Sequence, residues 1–213
     1  MSVVVKICGL SDAESIEASI EGGADYLGFT FFEKSPRNVS PSLVASLVED
    51  APEEVYKVGL FVDPDDAWLD QVLTHIRLDY LQLHGSETPE RVDAIRFSCG
   101  LPVIKAVGIS GAEDVIASSQ FRDHADMMLF DAKAPPDADR PGGNATAFNW
   151  SLMTAYSGRL PWLLAGGLTP KNVAQAIAEA NAPGVDVSSG VESTPGSKDP
   201  ALITAFLRAA KGG

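Results

Sequence analysis

The sequence predicts an α/β protein: a (β/α)8 TIM barrel with a parallel eight-stranded core, formed as one domain over residues 1–213. Three observations predict it. Eight short apolar runs recur along the chain, and most are continuously apolar, as strands covered on both faces are. Amphipathic stretches lie between them, opened by helix-capping residues. The length suits eight strand–helix units, which take roughly 200–250 residues. An open doubly wound sheet is the alternative, but Cys8-Gly9-Leu10-Ser11 after the first run is too short for a dinucleotide loop, and no G-x-G-x-x-G follows it.

The runs are Val3–Cys8, Tyr26–Phe31, Tyr56–Val62, Tyr80–Leu83, Pro102–Val107, Met127–Phe130, Trp162–Ala165 and Gly184–Val187. After the first, Ser11-Asp12-Ala13-Glu14 has capping-box spacing, with Ser11 covering an orphan N–H and Glu14 reaching back. Five later starts pair a capping residue with Pro at the first helical position: Ser40-Pro41, Asp63-Pro64, Thr88-Pro89, Thr169-Pro170 and Asp199-Pro200. The fourth helix ends at Cys99 before Gly100. One long insertion, Asp131–Phe148, carries Pro135-Pro136, Pro141 and Gly142-Gly143; a stretch of that length reads as a functional loop.

Composition narrows the function. With 45% hydrophobic and 21% charged residues the chain can bury a full core. Its net charge of −13 argues against nucleic-acid partners and against an electrostatic membrane anchor. An anionic ligand would need a local positive pocket or backbone N–H groups. No apolar run approaches the ~18 residues of a membrane helix, and MSVVVKICGL lacks a signal-peptide pattern, so a soluble cytoplasmic protein is expected. Cys8 and Cys99 form no disulfide framework and fall on opposite faces. No cluster has metal-ligand spacing and no G-x-S-x-G elbow occurs, so no metal is expected.

In such barrels chemistry gathers at the C-terminal ends of strands. The residues there are Cys8, Ser35-Pro36-Arg37, Asp63, His84, Gly108, Asp131, Gly166-Gly167 and Ser188-Ser189-Gly190. Alternation along a strand turns Lys6 inward with Cys8, Gln82 with His84, and Leu129 with Asp131. Gly166, Gly167, Ser188, Ser189 and Gly190, with a short helix over Val191-Glu192-Ser193, suit a phosphate held by backbone N–H groups; tight turns with caps are the plainer reading. Cys8 as proton acceptor, with its pKa lowered toward neutrality, and Asp131 as proton donor could move a proton between two carbons. Cys8 reads equally as a small buried hydrophobe, and Asp131 as a loop residue. Arg37 could clamp a carboxylate with two hydrogen bonds or remain solvated. His84 could donate to a ligand or satisfy the interior. An inward Lys6 needs a partner, and Asp186 is the candidate. Lys105 on the fifth run is a candidate catalytic lysine for a lyase on the same scaffold. His75 and His124 fall near helix ends and need no function.

The chain resembles the phosphoribosylanthranilate isomerase family. The resemblance is carried by Lys6-Ile7-Cys8-Gly9-Leu10, Ala24-Asp25-Tyr26-Leu27-Gly28-Phe29, Ser35-Pro36-Arg37, Val58-Gly59-Leu60-Phe61-Val62, Leu81-Gln82-Leu83-His84-Gly85, Phe130-Asp131, Leu164-Ala165-Gly166-Gly167-Leu168, Asp186-Val187-Ser188-Ser189-Gly190-Val191-Glu192 and Gly196-Ser197-Lys198-Asp199. It implies an enzyme of tryptophan biosynthesis catalysing an Amadori rearrangement. Asp131 would be general acid, Cys8 general base, Arg37 the clamp for the anthranilate carboxylate. Gly166, Gly167, Ser188, Ser189 and Gly190 would cradle the phosphate, with His84 and Asp186 lining the site. It implies a phosphosugar substrate, no cofactor or metal, and a monomer or homodimer. The chain departs from the family at Gly142-Gly143-Asn144-Ala145 and Phe148-Asn149-Trp150, where relatives carry Gly-Gly-Thr-Gly and Phe-Asp-Trp; Asn149 can still cap a helix. Titration of the denatured, unreduced protein is expected to find two free thiols; fewer would contradict the placement of Cys8 and Cys99 on opposite faces.

Overall fold

A computed structural model describes residues 3–134, 140–143 and 147–212. Pro135, Pro136, Asn144 and Ala145, which the sequence singles out, lie outside the described residues. Eight parallel strands close in chain order: β1 (Val4–Cys8), β2 (Tyr26–Thr30), β3 (Tyr56–Phe61), β4 (Tyr80–Leu83), β5 (Val103–Ile109), β6 (Met127–Ala132), β7 (Trp162–Leu164) and β8 (Gly184–Val187). Closure is made where β8 pairs with β1, setting Lys6 opposite Asp186 and Ile7 opposite Val187. Outside lie α1 (Ala13–Glu21), α2 (Pro41–Leu47), α3 (Asp66–His75), α4 (Pro89–Cys99), α5 (Ala112–Ala117), α6 (Val173–Ala180) and α7 (Pro200–Lys211). Between β6 and β7 the described residues hold a 3-10 helix, Trp150–Ala155, capped by Asn149. A small antiparallel hairpin, β9 (Glu192–Thr194) with β10 (Ser197–Lys198), follows β8.

The two faces of each strand have separate jobs. Val58, Ile104, Ala106, Met127, Leu129, Leu163 and Ala165 fill the barrel, with Tyr26 and Tyr80 packed edge-on at 5.6 Å. Alternate residues such as Ile7, Phe29, Leu83, Val103 and Phe130 belong to the larger core under the helices. Such side chains contribute ~1.5–3 kcal/mol each on burial. A parallel sheet covered on both faces is why the runs read as continuously apolar.

Ser40, Thr88 and Asp199 cap their helices as the sequence predicts. Three starts are corrected. Asp12, not Ser11, caps α1, its carboxylate accepting from the Ser15 N–H at 2.8 Å. Asp65, not Asp63, caps α3; Asp63 takes a left-handed φ of 46° and accepts from the Ser86 N–H, tying two loops together. Asn172 stands at the start of α6, and its side chain accepts from the Thr169 N–H at 2.7 Å, so Thr169-Pro170 forms the approaching turn. β5 and β6 run longer than predicted, which places Gly108 and Asp131 inside strands.

Lys105 is also corrected. It faces the outer core, over the Phe121 ring, and not the barrel mouth. Its buried ammonium pairs with Glu87 at 2.8 Å and donates to the Gly85 carbonyl at 2.9 Å. Glu87 accepts in turn from the N–H groups of Asp63 and Gly85. This network fastens the loops after β3 and β4, including the residue beside His84. Removing one member of a buried pair typically costs ~3–5 kcal/mol. Lys105→Met should therefore lose about 3 kcal/mol of stability in urea unfolding at neutral pH; a loss near zero would show that the network is not structural.

Candidate active site

The site is assembled by strand parity. β1 ends in Cys8, β4 leads into His84, β6 carries Asp131, and β8 carries Asp186 and leads into Ser188. All five line one cavity of about 60 Å³, together with Arg37, Gln82, Gly142 and Gly143. Gly142 and Gly143, the described glycines of the long insertion, therefore lie at the mouth. A Cβ on Gly142 would come 2.9 Å from both Asp131 Oδ2 and His84 Nε2. An adjoining cavity of about 30 Å³ is walled by Gly166, Gly167, Ser188, Ser189 and Gly190. All the sequence-predicted site residues thus meet at one end of the barrel. Cys99 sits at the end of α4, and both cysteines are free.

The second cavity is lined largely by backbone. Gly166 has φ 86°, and a Cβ there would lie 2.7 Å from the Ala132 N–H nitrogen. A Cβ on Gly190 would overlap the Leu168 carbonyl oxygen. The short helix expected over Val191-Glu192-Ser193 is instead one 3-10 turn over Ser189–Val191, because Glu192–Thr194 pairs as a strand with Ser197–Lys198.

Asp131 Oδ1 accepts from the Ala132 N–H at 2.8 Å, and Oδ2 lies 3.3 Å from His84 Nε2. The Gln82 amide nitrogen lies 3.0 Å from His84 Nδ1. The Gln82 amide thus orients the ring and turns Nε2 toward Asp131. Lys6 is fully buried and pairs with Asp186 at 2.8 Å, as an inward lysine requires. The Cys8 thiol departs from the expected lowering: burial pushes its pKa up, and the Lys6 charge only partly opposes this. A thiol without an adjacent free cation has no reason to ionise in a dry site.

The fold and this geometry place the chain among known proteins. A family model described as N-(5'phosphoribosyl)anthranilate (PRA) isomerase matches residues 5–209. The chain belongs to this enzyme family. It is 59% identical over 213 residues to the N-(5'-phosphoribosyl)anthranilate isomerase of Paramagnetospirillum magneticum, covering 100% of this chain and 99% of that one. It is similar to the solved phosphoribosyl anthranilate isomerase of Thermotoga maritima, with a TM-score of 0.88 and 38% identity over 99% of this chain and 100% of that one. A phosphoribosyl anthranilate isomerase solved in complex with reduced 1-(o-carboxyphenylamino)-1-deoxyribulose 5-phosphate matches with a TM-score of 0.85, 36% identity and coverage of 99% and 100%.

Two residues beside this cavity, Glu192 and Lys198, were not singled out by sequence reasoning. Arg37 is buried, and its Nε and Nη2 donate to Glu192 at 2.6 and 2.9 Å. Lys198 donates to the same carboxylate at 2.7 Å and to the Ser188 carbonyl at 3.0 Å. Glu192 and Lys198 face each other across the β9–β10 hairpin, which the sequence did not predict. Their signal was present in the segments that carry the resemblance, where two charges flank a Gly turn. Arg37 is thus not a solvated loop residue: Glu192 fixes its plane and leaves Nη1 directed at Gly143.

Burial works against the Glu192 charge, but Arg37 and Lys198 outweigh it and hold the carboxyl below its ordinary 4.5. A folded pKa below the unfolded one contributes stability that is present above the unfolded value and lost as pH falls through the folded one. Glu192→Gln should therefore be less stable than the parent near pH ~7, the gap narrowing below about pH 4.5. Urea midpoints at both ends of that range check it; a gap that widens in acid would refute it.

Proposed function

We propose that this chain isomerises N-(5'-phosphoribosyl)anthranilate to 1-(2-carboxyphenylamino)-1-deoxyribulose 5-phosphate, as an enzyme of tryptophan biosynthesis acting through one barrel domain. The observation that carries the reading is the opening of Cys8 and Asp131, from β1 and β6, into one cavity beside the Gly166–Gly167 and Ser188–Gly190 turns. In this reading Asp131 gives a proton to the ribose ring oxygen as the C1–O bond breaks. The anilino nitrogen supplies the electron pair, leaving a protonated Schiff base. Cys8, as thiolate, takes the proton from C2, and the electrons move into the C1–C2 bond to give an enolamine. Reprotonation at C1 and loss of the C2 hydroxyl proton complete the ketone. The nitrogen is the electron sink, so the steps call on no group beyond substrate and side chains.

Binding follows from the same layout. The phosphate sits among the backbone N–H groups of the Gly166–Gly167 and Ser188–Gly190 turns. The anthranilate carboxylate meets Arg37, whose guanidinium Glu192 pre-orients. Asp186 and His84 face the sugar.

The test is complementation of a tryptophan auxotroph lacking this isomerase step, followed by a fluorescence assay for loss of the anthranilate substrate. Failure of the pure, folded protein to consume that substrate would refute the reading. Cys8→Ala and Asp131→Ala should each lose ~10²–10⁴-fold in kcat while still binding a product analogue. Normal turnover by either variant would remove that residue from its role. Arg37→Ala should weaken binding of the anthranilate-bearing analogue more than of a plain phosphosugar; equal loss for both would deny it the carboxylate.

A further inference from the structure

A thiol that burial holds protonated is a poor base, so something near Cys8 must favour its ionised form. The group at hand is on the same strand. Lys6 and Cys8 both point inward from β1, one rung apart, and Gly28 of β2 pairs with Cys8. A Cβ on Gly28 would lie 3.0 Å from the Lys6 nitrogen and 3.0 Å from the Cys8 sulfur. Both groups therefore border the space that the missing side chain leaves open. Lys6 has no exposed surface and lines neither cavity, so it does not touch a ligand. Asp186, its partner at 2.8 Å, does line both.

We propose that Lys6 is a positioning residue for the isomerisation: its buried ammonium, shared between Asp186 and Cys8, holds the sulfur in the form that accepts the C2 proton. The proposal rests on Cys8 being the base. A full positive charge at this depth is unusual, since an unpaired buried ammonium loses its proton instead. Asp186 keeps Lys6 charged, and the raised Lys6 pKa, with burial opposed first by Asp186 and then by Cys8, agrees. When substrate engages Asp186, the ammonium is released in part from that carboxylate and shifts its field toward the sulfur. The thiolate is then favoured when the C2 proton is in reach. Other titratable groups also line the site with Cys8: Arg37 after β2, His84 after β4, Asp131 of β6 and Arg140 after it, while Lys198 of β10 acts on the sulfur and is bound in turn to Glu192 of β9. Arg37 and Lys198 are held by Glu192 on the far hairpin, whereas Lys6 shares the strand of Cys8 and borders the same Gly28 gap.

The test reads Cys8 directly, by its rate of alkylation with iodoacetamide against pH, in a Cys99→Ser background. The charges set an order. Asp186→Asn removes the anion that competes for Lys6 and should lower the midpoint. Lys6→Met should raise it by about one pH unit or more. The double variant Lys6→Met/Asp186→Asn, which leaves no lone buried charge and guards against misfolding of the single, should fall between the parent and Lys6→Met. The acid limb of kcat/KM against pH should move with the midpoint. A merely structural Lys6 would change stability and leave the midpoint in place. An unmoved midpoint in both Lys6→Met and the double variant, beside an inactive Cys8→Ala enzyme, overturns the role of Lys6 alone. Full turnover by Cys8→Ala overturns the base assignment itself, and with it any catalytic purpose for Lys6.

Discussion

The rung that closes the barrel also sets its electrostatics. β1 and β8 meet with Lys6 opposite Asp186, and the side chains of these two register partners form an ion pair inside the cylinder. Neither charge could stay there alone, since an isolated buried ion either loses its charge or costs several kcal/mol. The pair is permitted because strand closure delivers both members at one height. Everything above it is arranged from that level. Cys8 stands one inward step further along β1, and Ser188 begins the cradle one inward step beyond Asp186. The floor of the site is thus a charged layer, and below it the interior turns apolar at Leu129, Ile104 and Leu163.

How far the chain could be read follows from how local each feature is. Strand runs and the Ser40, Thr88 and Asp199 caps depend on neighbours within a few residues, and they were legible. Lys6 with Asp186 was legible because strand parity and barrel closure turn a sequence separation of 180 residues into an adjacent rung. The Asp63 start fails because a distant group, the Ser86 N–H, claims its carboxylate; at Thr169 the hydroxyl accepts locally from the Lys171 N–H, and the helix begins only after Asn172. A capping dipeptide says that an oxygen is available. It does not say which N–H claims it.

Charge at the mouth was harder to read than position. Placing Cys8 at a strand end required only counting, but the state of its sulfur depends on burial and on a lysine two residues away. The same holds for Arg37. From sequence it could be solvated or a clamp; the structure ties it to Glu192, 155 residues later, through a hairpin too short to announce itself by periodicity. Lys105 shows the converse. Its strand was correctly predicted, and parity alone could have turned it outward, because Ile104 and Ala106 on either side fill the barrel.

These pairings also bear on the anionic substrate proposed for a chain whose net charge is −13. Of the cations around the mouth, Lys6 is held by Asp186, Arg37 and Lys198 share Glu192, and Arg140 also lines the cavity, so the positive charge is confined to the site itself. The net charge opposes long-range attraction of an anion, so affinity for the proposed substrate has to come from contacts at short range. Two devices supply it. Backbone N–H groups of the glycine turns act over hydrogen-bond distances and owe nothing to net charge. A guanidinium whose plane is fixed by Glu192 loses little side-chain freedom when it meets a carboxylate, so more of the hydrogen-bond energy is retained. The carboxylate that pairs with these cations also holds the donors in place, since Glu192 fixes both Arg37 and Lys198.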